Sequence, residues 1–136
     1  MKLLPVLLLL VGLLAAASSH HLHEALSDED KQRHHQESEE CIAESKLDPQ
    51  ILADMKAGKK PDPIPRELHC YAKCILKKEG VMKEDGSINE DRPGRSDAAK
   101  ECEDKAKPAS LAEADQCDTA GKIMGCYAKN HLIPKF

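Results

Sequence analysis

The chain has 136 residues, and its 24 acidic and 20 basic residues give a formal net charge of −4. One Phe, two Tyr and no Trp leave few rings that could stack on bases, and no basic stripe follows the chain, so we expect no nucleic-acid partner. A core must therefore be built from Leu, Ile, Val, Met and Ala, and covalent crosslinks become more important for its stability.

The amino-terminal residues have the pattern of a secretory signal peptide. Met1-Lys2 gives a positive start, residues 3–17 are almost wholly apolar, and residues 15–19 supply small side chains for cleavage. A membrane anchor is the alternative, but it needs about 20 apolar residues, and this run is shorter. We predict a signal peptide at residues 1–19 and one secreted, extracellular domain at residues 20–136.

Capping signals predict two helices in the first part of this domain. Ser27, followed by three acidic residues, starts a helix that runs to about Ser45. Asp48 and Pro49 start the next helix, which Gly58 ends. Ile51, Leu52 and Met55 form its apolar face.

The amino end of the domain is rich in histidine, and we favour an exposed polar tail over metal binding for these residues. They are His20, His21, His23, His34 and His35.

The clearest helix spans Arg66 to Lys78, between a loop with three prolines and Gly80. Its apolar residues recur at helical spacing along one broad face. They are Leu68, Tyr71, Ala72, Ile75 and Leu76. Cys70 and Cys74 lie four positions apart on this helix, so they project from one face and are poorly placed to bridge each other.

Turns and short helices are predicted for the remainder of the chain. Residues 83–87 form a turn that is not an EF-hand, because Val81 and Lys83 stand where carboxylates should precede the glycine. Residues 89–95 are polar and irregular, and a helix follows from about Ser96 to Ala106.

The last helix is predicted from about Asp115 to Asn130, after a capping-box pattern at residues 110–113. Its apolar face consists of Ala120, Ile123, Met124 and Tyr127. An apolar tail, residues 132–136, follows and cannot continue as helix past Pro134.

Six cysteines have the spacing C-x28-C-x3-C-x27-C-x14-C-x8-C. In a secreted chain an even count indicates disulfides. A zinc site is the competing interpretation, but it lacks a C-x2-C pair, and the neighbours His69 and Cys70 are incidental. Cys117 and Cys126 would face opposite ways on a helix, beyond the roughly 7 Å reach of a disulfide. Excluding both local bonds leaves ten of the fifteen pairings that six cysteines allow.

This arrangement resembles the insect odorant-binding protein family, of the six-cysteine pheromone and general odorant-binding type. A signal peptide, about six helices, C-x3-C on the third helix and C-x8-C on the last carry the likeness. Shared local sequences are Glu40-Cys41-Ile42, Cys70-Tyr71-Ala72-Lys73-Cys74-Ile75, Gly80-Val81-Met82 and Asp85-Gly86-Ser87-Ile88. The resemblance covers essentially the whole domain.

The resemblance implies an all-α fold, a compact bundle of about five to six short helices held by three interlaced disulfides around an apolar cavity. The pairs it implies are Cys41–Cys74, Cys70–Cys117 and Cys102–Cys126. The interval between Cys74 and Cys102 is short for the family, and residues 89–95 lack the apolar side chains of a fourth helix that walls the pocket. We therefore expect a small or open cavity with weaker binding of large ligands.

The function implied is a secreted, non-enzymatic carrier for olfaction, without cofactor or metal. It would move a small odorant- or pheromone-like ligand, a volatile or a fatty acid, through aqueous fluid as a monomer or weak dimer. A membrane receptor would be a partner only through the ligand. The candidate ligand-binding residues are Leu52, Met55, Leu68, Tyr71, Ala72, Ile75, Leu76, Val81, Ile88, Ile123, Met124, Tyr127, Leu132, Ile133 and Phe136.

Three finer hypotheses concern the tail, two histidines and two tyrosines. The tail with Leu132, Ile133 and Phe136 either folds over the pocket mouth as a plug or is a frayed terminus. His69 and His131 could make ligand release sensitive to pH, because histidine titrates near neutrality. Tyr71 and Tyr127 are candidates for the polar group that orients a ligand.

Other functions remain open. The main alternative is a secreted seminal, haemolymph or salivary interaction protein of the same fold, without a physiological small ligand. A saposin-like lipid binder has a different cysteine spacing. An enzyme is not expected, because the cysteines are committed to bridges and neither a nucleophile motif nor a phosphate loop occurs.

Overall fold

The computed structural model describes residues 27–108 and 110–133 and contains five helices. They are α1 (Asp28–Ser45), α2 (Pro49–Lys56), α3 (Arg66–Lys78), α4 (Asp97–Lys105) and α5 (Glu113–Lys129). The predicted signal peptide, His20, His21, His23 and Phe136 lie outside the described residues. No helix in residues 27–108 or 110–133 combines the length and apolar character needed to cross a membrane.

The chain divides into two compact units, residues 1–33 and 34–136. In the first unit, the described residues form the start of α1. Ser27 Oγ accepts the N–H of Asp30 at 3.1 Å, which confirms Ser27 as the cap, and Lys31 and Arg33 pair with Asp28 and Asp30 one turn away. The acidic first turn also suits the positive end of the helix dipole.

Local capping explains where the helices of the second unit begin and end. Asp48 Oδ1 accepts the N–H of Gln50 at 2.9 Å ahead of Pro49, and Ser96 Oγ accepts the N–H of Ala99 at 3.1 Å. Gly58 has a positive φ of 85° just after α2, a conformation that glycine adopts without a Cβ clash. The predicted starts and ends of α2 and α4 are thereby confirmed.

The start of α5 differs from the prediction by two residues. The helix begins at Glu113 instead of Asp115, and no side chain of its cap residue, Ala112, closes the first turn. Ser110 holds this end: its hydroxyl accepts the N–H of Ala112 at 3.3 Å and donates to Asp115 at 2.9 Å. The serine of the predicted capping box therefore acts across the first turn and not as the cap itself.

Three interlaced disulfides tie the helices together. Cys41–Cys74 joins α1 to α3, Cys70–Cys117 joins α3 to α5, and Cys102–Cys126 joins α4 to α5. These are the pairs that the family resemblance implies, and they are one of the ten sets that spacing left open. Their Cα–Cα distances of 4.5–5.6 Å lie within the usual range. Helices α3 and α5 each carry two of the bonded cysteines.

The core lies between α3, α4, α5 and the turn after α3. Helices α3 and α5 make the most extensive helix contact, and α4 packs on α5. The apolar cluster, as we call it below, consists of Ala72, Leu76, Val81, Met82, Ile88, Ala99, Cys102, Ala106, Ala120, Ile123 and Tyr127. The predicted all-α, disulfide-linked bundle of five to six helices is confirmed.

The turn after α3 closes one side of this cluster. Met82 and Ile88 form an isolated antiparallel bridge, and the N–H of Lys83 donates to the carbonyl of Ser87 at 2.8 Å. Gly86 has φ +89° and lies so close to Gln116 that a Cβ there would approach its Cδ to 2.5 Å. The predicted turn is confirmed, and it positions Met82 and Ile88 in the core.

One histidine prediction is wrong. The sequence pattern favours exposure of His34 and His35, and both lie within α1, in the range predicted as helix. The side chain of His34 is only 12% exposed and lies 3.1 Å from Glu79, whereas His35 remains exposed. Histidine-rich composition alone could not distinguish the two, because their burial depends on which side of α1 faces the end of α3.

Candidate ligand-binding site

The structure gathers nine of the fifteen predicted ligand-binding residues at the apolar cluster. Six are buried members, and three more pack against the cluster while partly exposed. The buried members are Ala72, Leu76, Val81, Ile88, Ile123 and Tyr127; the partly exposed residues are Met124, Leu132 and Ile133. They come from α3, the following turn, α5 and the start of the tail, so that one apolar region joins four segments.

Five other predicted residues lie outside the apolar cluster. Leu52 and Met55 are on α2, which buries no residue, and the side chain of Met55 is 43% exposed. Leu68, Tyr71 and Ile75 are partly buried on α3. The remaining candidate, Phe136, lies outside the described residues.

Tyr71 does not offer its hydroxyl to the cluster. Its Oη lies 2.9 Å from Ser38 Oγ on α1, and burial raises its pKa although the hydrogen bond to Ser38 opposes that effect. The hydroxyl is therefore used to link α1 to α3. Of the two predicted polar groups, only Tyr127 belongs to the apolar cluster.

A buried carboxylate, Glu103, bounds the cluster on the α4 side. Its side chain is completely inaccessible, and it accepts hydrogen bonds from three groups. Arg95 Nε donates to Oε2 at 2.7 Å, while Arg92 Nη2 and the hydroxyl of Tyr127 both donate to Oε1. Charge-assisted bonds of this kind are stronger than neutral ones, so this network fixes Tyr127 from the polar side.

These contacts determine how the groups titrate. Burial is the largest single influence on Glu103 and raises its pKa, but the hydrogen bonds from Arg92, Tyr127 and Arg95 together outweigh it, so that the pKa lies below its ordinary value. The pKa of Tyr127 is raised by burial and by its hydrogen bond to Glu103. At neutral pH the site therefore holds an ionised Glu103 beside a neutral Tyr127.

Sequence reasoning missed this network. Residues 89–95 are predicted to be irregular, which the structure confirms, and to lack apolar side chains that could wall the pocket. Arg92 and Arg95 instead anchor the segment through Glu103, with Arg92 Nη1 also donating to the carbonyl of Asn89 at 3.2 Å. Arg92 and Arg95 lie in an irregular segment, so no helix or strand pattern could have indicated their contact with Glu103.

Two depressions on the described surface are polar. One, of about 430 Å³, lies on α4 and is lined by Asp97, Lys100, Glu101, Asp104 and Lys105. The other, of about 400 Å³, is lined by Lys83, Ser87, Ile88, Glu90, Asp91, Lys107, Pro108 and Leu111. Neither lining suits an apolar ligand, whose pocket should be mostly apolar with few polar groups. The apolar cluster is thus the better candidate site.

The two histidines considered for pH-sensitive release lie outside the apolar cluster. His69 Nδ1 is 3.7 Å from a carboxylate oxygen of Asp118, and its ring covers Gly121 on α5. His131 is exposed and has φ +55° after the end of α5. The release hypothesis stays a prediction.

Comparison with known proteins identifies the family that has this fold and cysteine framework. The sequence model of the PBP/GOBP family matches residues 23–130. General odorant-binding protein 56a of Drosophila melanogaster is 32% identical over 115 residues, which cover 81% of each chain. The chain belongs to the PBP/GOBP family.

A solved structure of the same fold supports this assignment at the level of architecture. The PBP/GOBP chain matches a structure described as fatty acid binding protein OBP56a from the oral disk of the blowfly Phormia regina. The TM-score is 0.55 at 24% identity, with 80% of this chain and 97% of the blowfly chain covered. The blowfly structure shares the fold of this chain, and the family model and the Drosophila relative confirm the predicted family.

Proposed function

We propose that this protein is a secreted, non-enzymatic carrier that binds small apolar ligands at the apolar cluster and moves them through aqueous fluid. Membership of the PBP/GOBP family supports the carrier role. The proposed location of the binding site rests on one observation. Residues of α3, α5, the turn after α3 and the start of the tail meet in one apolar region. Burial of apolar ligand surface there would supply the main driving force.

The composition of the cluster favours flexible aliphatic ligands. Apart from Tyr127 its members are aliphatic or sulfur-containing, and Met82 and Met124 have unbranched side chains that adapt to irregular shapes. The matched blowfly structure is described as a fatty acid binding protein. Fatty acids are therefore the first ligand class to test, ahead of ring-containing volatiles, for which the site offers one aromatic partner.

Ligand entry would displace the start of the tail. Leu132 and Ile133 pack against the cluster while partly exposed, and the N–H of Leu132 donates to the carbonyl of Tyr127 at 2.9 Å. They can leave without disturbing a disulfide. This arrangement supports the plug hypothesis for Leu132 and Ile133, with the ligand taking over the apolar contacts that the tail gives up.

The binding test uses displacement of a fluorescent apolar probe by a panel of fatty acids and volatiles from disulfide-intact protein. Micromolar displacement by fatty acids is expected. Met124→Ala should weaken binding by about tenfold, because it removes the contact of a side chain at the cluster edge. Met55→Ala changes the same residue type on α2 and should leave the affinity unchanged. Equal loss in both variants would contradict the location.

The plug is tested by ending the chain after His131. We expect ligand association to accelerate several-fold, since the ligand no longer has to displace Leu132 and Ile133 from the apolar cluster. Unchanged association and dissociation rates would show that the tail is no plug. Absence of probe uptake by folded protein would contradict the carrier role, and a secreted interaction protein of the same fold would become the leading function.

A further inference from the structure

We propose that His34, Glu37 and Glu79 form a binding site for a divalent zinc-like cation. One potential ligand atom from each residue lies within 4.8 Å of the other two. His34 and Glu37 are three residues apart on α1 and therefore lie on one face of the helix, and Glu79 caps the end of α3. The site is independent of the apolar cluster and of the proposed carrier function.

The distances suit a small tetrahedral ion. His34 Nδ1 lies 3.1 Å from Glu79 Oε1 and 3.5 Å from Glu37 Oε2. Zinc binds nitrogen and oxygen ligands at about 2.0–2.1 Å, so neighbouring ligands of a tetrahedral ion are about 3.3 Å apart. Both measured edges are within a few tenths of an ångström of that spacing, and small rotations of the glutamate side chains would complete the site.

The chemistry of the three groups favours zinc over calcium or magnesium. An imidazole nitrogen is a good ligand for zinc, copper and nickel, whereas calcium and magnesium require mostly oxygen. One histidine and two carboxylates neutralise a doubly charged ion and leave a fourth position for water. The His34 and Glu37 side chains are 12% and 20% exposed, so the ion would be partly shielded and still reachable.

The position of the site gives the ion a structural effect. Cys41–Cys74 already joins α1 to α3, and Lys78 pairs with Glu40 between the same helices. A bound ion would add a link about one to two helical turns before Cys41. Because the ion binds only the folded arrangement, it should stabilise the protein in proportion to the logarithm of its concentration.

The histidines near the amino end must be removed from the test, because they could bind metal by themselves. In the full domain carrying His20→Ala, His21→Ala and His23→Ala, we expect calorimetry to show one zinc per chain. Saturating zinc should raise Tm by roughly 5 °C. Cobalt, used as a spectroscopic substitute, should give the intense visible absorption of a tetrahedral site.

Matched variants locate the ion. His34→Ala and Glu79→Gln should each weaken zinc binding at least tenfold, whereas His35→Ala and Glu39→Gln, which change an exposed pair on the same helix, should not. Circular dichroism verifies that each variant is folded. If His34→Ala does not fold, Glu79→Gln provides the test of the site. Equal affinity in the His34 and His35 variants, or no zinc binding by the folded parent, would overturn the proposal.

Discussion

Glu103 is the residue on which the segment between α3 and α4 depends. It is fully buried and pairs with Arg92 and Arg95, whose side chains are 13% and 12% exposed. In Glu103→Gln, two nearly buried guanidinium groups lose their carboxylate, and we expect the free energy of unfolding to fall by about 3–5 kcal/mol. Denaturant titration measures the loss.

Glu101→Gln is the matched control for that experiment. Glu101 lies on the same helix, and its partner Lys105 is as exposed as it is, with about two-thirds of each side chain accessible. Solvent screens exposed pairs of this kind, so they contribute little to stability and the control should be close to wild type. Similar losses in the two variants would show that burial does not set the strength of the Glu103 contacts.

The same carboxylate predicts a pH dependence. The pKa of Glu103 is below its ordinary value of 4.5 in the folded protein, so the folded state holds the ionised form more strongly than the unfolded chain does. Its contribution to stability is complete above that ordinary value and is lost as the pH falls through the folded pKa.

Unfolding measured from pH 6 downward should therefore show a steeper loss of stability below about pH 4.5 in wild type than in Glu103→Gln. The difference between the two curves isolates Glu103 from other carboxylates with a lowered pKa, such as Glu40 and Glu90. Parallel curves would mean that Glu103 titrates alike in the folded and unfolded states.

At the scale of single elements, two glycines of α5 should respond in opposite ways to alanine. A Cβ added at Gly125 would meet no heavy atom within 4 Å, whereas a Cβ at Gly121 would lie 2.5 Å from Cδ2 of His69. Gly125→Ala should stabilise the protein by about 0.5–1 kcal/mol, because alanine is the better helix former. Gly121→Ala should destabilise it by about 1–3 kcal/mol through the clash.

His69 provides the internal test of this explanation. If the ring causes the cost of Gly121→Ala, the combined His69→Ala and Gly121→Ala variant should recover most of the loss, and a double-mutant cycle in thermal unfolding would show coupling. Additive effects would place the cost elsewhere in α5. The test also probes the α3–α5 contact, the most extensive in the described structure.

Helices were the most predictable part of this protein, because their signals are local. Asp48-Pro49 and Ser96 each satisfy backbone N–H groups within three residues, and the structure reproduces those starts. Burial was less predictable: the apolar face of α2 has the right spacing, yet α2 buries no residue. Periodicity shows which residues share a face, but the partner of that face is a property of the tertiary fold.

The same distinction between local signals and tertiary packing applies to the candidate site residues. The structure brings those on α5 and in the turn after α3 into one apolar region, where Cys70–Cys117 holds α3 and α5 together. The Glu103 network was missed because its partners approach from an irregular segment. That the clustered residues bind a ligand stays a prediction.

For the whole molecule, the attachment of α1 provides a further prediction. From His34 onward, α1 buries only Cys41, and its contacts with α3 include the Cys41–Cys74 bond and the hydrogen bond between Ser38 and Tyr71. Removing that disulfide with Cys41→Ser and Cys74→Ser should cost about 4 kcal/mol by the loop-entropy estimate. It should also release α1 locally.

Hydrogen exchange should show the local release. Amides of residues 34–45 should lose protection in the double variant, while those of α3 and α5 keep theirs at temperatures below unfolding. Cys102→Ser with Cys126→Ser is the comparison, since that bond joins α4 to α5 and its loss should leave α1 protected. A uniform loss of protection would show that α1 unfolds only with the whole protein.

The interlacing of the three disulfides affects how the protein responds to proteolysis. The intervals 41–74, 70–117 and 102–126 overlap in succession, so every peptide bond from Cys41 to Cys126 is spanned by at least one crosslink. A single cut in an exposed loop, such as residues 57–60, therefore releases no fragment. The nicked protein would run as one species until reduced and then separate into two, so one such cut leaves the molecule covalently in one piece.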